Sequence, residues 1–207
     1  REEHAMRPTE VLMQEHRVIE QVLNVVERIA ADCERAGKVD AGSARQAIDF
    51  LRTFADRCHH GKEEEQLFPM MEVHGFSPEQ GPTAVMRQDH VEGRGRIQAM
   101  DQAIEGASTG DADACRAYVT NARAYVLLLR EHIQKEDHCL FPMADQALSE
   151  DDQRELQARF RRVEHDEIGP QVHADYLKLA DDLARRWEVE PAAVASNPTG
   201  CGCGHTH

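Results

Sequence analysis

Two stretches of the chain, HHGKEEEQLFPM from His59 and HIQKEDHCLFPM from His132, reduce to one pattern, H-x3-E-x3-LFPM. On a helix, residues four apart lie one turn above the other on the same face. His59 therefore points with Glu63, and His132 with Glu136. Each pair also sits on an apolar stripe, so the fold must carry two carboxylates and their histidines into its interior. An uncompensated buried carboxylate is costly. The repeat thus demands a helical architecture with something at its centre to neutralise acid.

The stripes have helical spacing. Leu12, Ile19, Leu23, Val26 and Ala30 form one face over about residues 9–35, with His16 on it and Gly37 as the stop. Ile48, Leu51, Ala55, His59, Glu63, Leu67 and Met70 form a second face from about Ser43 to Val73. Met86, His90, Gly93, Ile97, Met100 and Ile104 form a third after Pro82. Tyr118, Ala122, Tyr125, Leu129, His132, Glu136, Leu140 and Met143 form a fourth after GASTGDAD. Pro69 and Pro142 are expected to bend or end their helices. Short connections predict an all-α, up-down-up-down four-helix bundle over residues 1–148. A C-terminal extension over 149–190 is expected to add two helices, broken at Gly169-Pro170 and packed on the bundle. Residues 191–207 read as a flexible Cys/His tail.

A net charge of −14 argues against nucleic acid and anionic membranes as partners. No apolar run has the length of a membrane span, and the opening stretch REEHAMRPTE does not read as a signal peptide. Six cysteines in 207 residues do not form a disulfide framework, so the expectation is free thiols in a reducing cytoplasm.

With His16 and His90 also on inward stripes, six metal-seeking side chains converge: His16, His59, Glu63, His90, His132 and Glu136. Cations would neutralise the acids. Imidazole and carboxylate without thiolate suit iron, manganese or zinc, and two shared carboxylates would bridge two ions. A single histidine on an apolar stripe is more often an ordinary core residue; the coincidence of six is what points to metal. Leu67, Phe68, Leu140 and Phe141 read as core rather than ligands.

Taken together, QEHRVIEQVL around His16, CHHGKEEEQLFP around His59, DHVEGRGRI around His90 and EHIQKEDHCLFP around His132 resemble the hemerythrin-like (HHE cation-binding) family over about residues 9–147. The resemblance implies two iron ions bridged by oxo or hydroxo, held by those six residues, with manganese or zinc as alternatives. His60 and Glu64 also form an H-x3-E pair. Aligning the two LFPM tails matches His60 to Ile133, so His60 is read as a neighbour of the site or a surface residue. Oxygen-carrying hemerythrins place a second histidine one turn along the third helix. Here that position is Arg94, which implies a missing ligand. Glu167 is the candidate replacement, with His165, His173 and Tyr176 behind it. The tail's Cys201, Cys203, His205 and His207 form a separate candidate for loose zinc or copper binding.

The functional expectation is a non-haem di-iron protein that binds a small diatomic or peroxidic ligand (oxygen, nitric oxide or peroxide) or senses iron or redox state. The alternative is an enzyme that decomposes peroxide or reduces nitric oxide, with His60, Tyr125 and Glu167 as candidate proton shuttles. Whether the chain is a monomer or a homodimer is left open by the sequence.

Overall fold

The computed structural model describes residues 6–190, without the side chains of 166–168 and 170. Its described residues form helical rods joined by short turns. The first is α1 (Pro8–Ala36). The second begins as α2 (Ala41–Phe50), passes through wide π-helical stretches at Leu51–His60 and Glu63–Leu67, and ends as α3 (Phe68–Val73). The third is α4 (Pro82–Ser108). The fourth is α5 (Ala112–Lys135), a π turn at Glu136–Leu140 and α6 (Phe141–Ala147). Next come α7 (Glu150–Arg162), with a π turn at Val163–Ile168, and α8 (Pro170–Arg186).

Local chemistry sets the boundaries. Gly37 takes the left-handed φ of 70° that ends α1, and its N–H closes on the Cys33 carbonyl. Asp40 and Asp111 cap α2 and α5 by accepting the Ser43 and Ala114 N–H groups, at 2.7 and 2.8 Å. Ser149 and Asp152 form a reciprocal capping box at α7.

α1 packs on the second rod and on α5, and α4 closes the ring by packing on both of those. Cross-rod ion pairs report the direction. Glu34, Glu27 and Arg17 of α1 meet Arg123, Arg130 and Asp137, so the first and fourth rods are antiparallel. Arg45, Asp56 and Glu72 meet Glu105, Arg94 and Arg87, so the second and third are antiparallel too. The exposed pairs among them contribute little stability; all of them mark register. The interior is two apolar clusters. The larger is built around Ile19, Leu23, Ile29, Phe50, Phe54, Ile97 and Tyr125, and α8 covers it with Ala180, Leu183 and Ala184. The smaller gathers Leu12, Leu67, Phe68, Met86, Leu140 and Phe141, with Leu156 and Phe160 of α7.

Two expectations need correction, and the π turns explain both. The prolines do not end their helices: Pro69 and Pro142 each open one further α-helical segment, to Val73 and Ala147. A proline lacks the N–H for an i→i−4 bond and its ring crowds that carbonyl; the widened π turn just before it removes the conflict. The fourth stripe does not reach Met143, which is 41% exposed; Phe141 and Ala144 face inward instead. The turn at Glu136–Leu140 consumes extra residues and slips the α-helical count.

Candidate metal centre

Between the two apolar clusters lies a layer of buried polar side chains. His16, Glu63, His132 and Glu136 are fully buried, and His59, His60 and His90 nearly so. All six residues expected from the sequence meet there. Their donor atoms fall into two tight groups that share Glu63: His60, Glu63, His90 and His132 in one, and His16, His59, Glu63 and Glu136 in the other.

His60 is the residue that sequence reasoning set aside. In an α-helix, adjacent residues diverge by roughly 100°, so His59 and His60 should not share a site. The π-helical stretch Leu51–His60 has a wider turn that brings both rings to one interior. The His60 ring stacks on His90 with centroids 3.8 Å apart, and lies 5.6 Å from His132. The layer thus contains a fifth histidine, contributed by the second rod rather than from position 94. The available signal was the doubled histidine together with Asp56 one turn before it.

Every histidine has the same two-sided arrangement. His16 Nδ1 meets Asp137 at 2.7 Å, His59 Nδ1 meets Glu15 at 2.9 Å, and His90 Nδ1 meets Glu64 at 2.6 Å. His132 Nδ1 meets Asp89 at 3.3 Å and His60 Nδ1 meets Asp56 at 3.4 Å. Those acids are held in turn by cations: Arg17 on Asp137, Lys62 on Glu15 at 2.5 Å, Lys135 on Asp89 at 2.5 Å, and Arg94 on both Asp56 and Glu64. A carboxylate on Nδ1 holds the proton there and aims the Nε2 lone pair the other way, which is how proteins orient metal-binding imidazoles.

The inner atoms then have no suitable partner. His16 Nε2, His59 Nε2 and both oxygens of Glu63 and Glu136 are buried without a hydrogen bond. They approach one another at 3.2–3.4 Å, but off hydrogen-bond alignment. His90 and His132 Nε2 face each other at 3.1 Å, a contact that needs a proton on one of the two rings or a cation between them. Buried groups so placed call for a cation. The carboxylates are also split between the groups. Glu63 puts Oε1 beside His59 and Oε2 beside His90, and Glu136 puts Oε1 beside His132 and Oε2 beside His16.

Without metal, protons carry the positive charge. Burial opposes charge on His59 and His132, but Glu63 and Glu136 respectively outweigh it and hold each imidazole up at about 10. Burial also acts to raise the Glu63 and Glu136 carboxyls. The neighbouring imidazoliums reverse this, leaving Glu63 well below the usual carboxylate range and Glu136 at about 2. His60 goes the other way: burial, then the charge on His90, lowers it to about 3 and keeps it a neutral donor.

The C-terminal helices supply no ligand among the described side chains. The side chain of Glu167 lies outside the described residues, as do Cys201, Cys203, His205 and His207 of the tail. Tyr176 donates to Asp49 at 2.8 Å, away from the layer. Glu15, Glu164 and His173 form a third cluster of donor type. The buried Lys62 ammonium already bonds Glu15 and Glu164 there, so a fixed cation occupies it. At Gly93 a Cβ would meet the Tyr125 ring at 3.4 Å, an ordinary van der Waals contact.

Fold and site together define a helical bundle whose core is interrupted by a histidine- and carboxylate-lined cation-binding layer. A family model described as Hemerythrin HHE cation binding domain matches residues 7–144. The chain belongs to that family. It is 26% identical over 179 residues to the uncharacterized protein Rv1995 of Mycobacterium tuberculosis, and equally to a protein of Mycobacterium bovis; the match covers 84% of this chain and 67% of the relative. The iron-sulfur cluster repair protein YtfE of Yersinia pseudotuberculosis is 32% identical over 88 residues, covering 42% of this chain and 40% of that protein. No solved structure matches the chain. Among the described residues, no helix is long and apolar enough to cross a membrane.

Proposed function

We propose that the layer holds two iron ions and that the protein binds or senses a small ligand there: oxygen, nitric oxide or peroxide. The observation that carries this is the splitting of Glu63 and Glu136, each with one oxygen beside each histidine group. Carboxylates so disposed are suited to span two cations. His60, His90 and His132 would hold one ion, and His16 and His59 the other, with oxo or hydroxo as the remaining bridge; manganese or zinc are the competing occupants. When bound, a pair of iron ions supplies two electrons to a dioxygen-type ligand. The two-histidine side has one histidine fewer, and its ion would be the one left open to a small ligand. The apolar clusters above and below keep water out. The buried free thiols Cys33, Cys58 and Cys115 support a cytoplasmic setting.

A second reading, turnover of peroxide or reduction of nitric oxide, draws on a different observation. Glu164, about one-third exposed, bonds Lys62; Lys62 bonds Glu15; and Glu15 bonds His59. Turnover needs protons delivered to the centre, and this chain of side chains links its edge to solvent. Metal analysis and anaerobic spectroscopy separate the readings. A stable spectrum on adding oxygen to the ferrous protein, without oxygen evolution from peroxide, supports the binder. Sustained evolution that is lost in Glu136→Ala supports the enzyme. Stoichiometric zinc without iron in protein taken from its native cells defeats both.

A further inference from the structure

Away from the metal layer, at the turn that ends α1, two thiols from distant parts of the chain share one groove. Cys33 sits in the last turns of α1 and Cys115 in the first turn of α5; both are buried, at 1% and 8% exposure. The Cys115 thiol donates to the Gly37 carbonyl at 3.3 Å, while the Gly37 N–H closes on the Cys33 carbonyl at 2.9 Å. Cys115 stands close enough to Cys33 to act on its thiol. Both line a groove of about 700 Å³ whose wall includes Gly37, Gly110 and Val119 and whose rim carries the Glu34–Arg123 ion pair. Nothing in the metal chemistry uses them.

We propose that Cys33 and Cys115 are an oxidation site, closed to an intramolecular disulfide by a peroxide. Cys115 is the more exposed residue of the two and meets the oxidant first. Its sulfur attacks one peroxide oxygen, the O–O bond breaks, and the first water leaves with formation of a sulfenic acid. The Cys33 sulfur then attacks the Cys115 sulfur, the S–O bond breaks, and the second water leaves. Two thiols and one hydrogen peroxide give one disulfide and two waters; both sulfurs are oxidised and both peroxide oxygens reduced. Burial and the neighbouring Cys115 push the Cys33 thiol up to about 12, so the second step is the slow one, and the Cys33 proton leaves with the sulfenic hydroxyl as water. The product ties the end of α1 to the start of α5 across a loop of about 80 residues, a length at which a cross-link strongly restricts the unfolded chain.

The test uses the full iron-loaded chain under continuous peroxide supply, so that consumption at the metal centre cannot mask the result. Free thiols are then blocked and the digest is mapped by mass. The expected result is a peptide pair joined through Cys33 and Cys115, lighter by two hydrogens, reversed by reductant and absent in Cys33→Ser. The oxidised chain should also melt roughly 5–15 °C higher, which a cross-link formed only in unfolded material would not produce. The proposal fails if Cys33 and Cys115 remain alkylatable after denaturation while Cys139, Cys201 or Cys203 are oxidised. It fails equally if the two are found as separate sulfinic acids, or if the linked chain melts no higher. None of these readouts depends on the ligand bound at the metal layer.

Discussion

The buried ammonium of Lys62 offers a sharp test of how the metal layer is supported. Its side chain is fully buried, bonds Glu15 at 2.5 Å and Glu164, and lies 5.7 Å from the Phe160 ring centroid. Glu15 is itself only 7% exposed and accepts from His59. Lys62→Met keeps the length and packing of the side chain but leaves the Glu15 carboxylate without its cation. Removing one partner of a buried ion pair costs about 3–5 kcal/mol. For a chain of this size each kcal/mol moves the melting temperature by roughly 2–4 °C, so a fall of about 10 °C is expected by calorimetry. If that cost is the stranded charge, neutralising it should recover most of the loss. Glu15→Gln in the Lys62→Met background is therefore expected to melt well above Lys62→Met alone, although Glu15→Gln by itself destabilises. That non-additive cycle is the discriminating result. A fall of under 3 °C, or a double variant no more stable than the single one, would show that Lys62 acts through packing alone.

His60→Ala should lose the ion on the three-histidine side while His16→Ala loses the other, read as metal content and absorption; full occupancy in His60→Ala would return that residue to the surroundings. Glu15→Gln keeps an acceptor for His59 but not its charge, and is expected to weaken metal affinity by roughly 10–100-fold in competition with a chelator. The metal-free protein should lose stability on alkalinisation. His59 and His132 are raised to about 10, so their contribution is complete below the ordinary imidazole value and lost as pH rises through about 10. Its melting temperature should fall between pH 7 and 10, whereas that of the metal-loaded protein should not. Gly37→Ala forces a side chain into φ of 70° and should cost about 1 kcal/mol by denaturant unfolding.

Much of this was legible before any coordinates, for a physical reason. Apolar residues at helical spacing have one way to be buried, and six metal-seeking side chains on those stripes meet wherever the rods meet. Loops, caps and the Gly169-Pro170 break follow from residues with strong local preferences. Much of what the sequence did not yield traces to π turns. They have no residue signature that a 3.6-residue count detects, yet they admit His60 to the layer, turn Met143 out to solvent and let two prolines sit within continuing helices. Nor could the partners of Nδ1 be assigned in advance. Glu15, Asp89 and Asp137 looked like ordinary solvated acids, because their neighbours along the chain say nothing of the rod packed against them.

Those acids bear on why the layer takes up metal at all. Around the five imidazoles stand seven carboxylates: Glu63 and Glu136 inside, and Glu15, Asp56, Glu64, Asp89 and Asp137 behind the rings. The cations nearest them are four: Arg17, Lys62, Arg94 and Lys135. With neutral histidines the layer carries an excess of negative charge in a poorly solvated interior, where such charge is expensive. Only mobile positive charge can relieve it, as protons on imidazole or as metal ions. The raised imidazoles of the metal-free protein are the first solution, and the two cation groups sharing Glu63 are the second. The two exclude each other, because each uses the same Nε2 atoms. Loading must therefore expel protons. Ferrous titration in weak buffer should acidify the solution measurably near neutral pH, and a titration that binds iron without releasing protons would contradict this account of what holds the layer together.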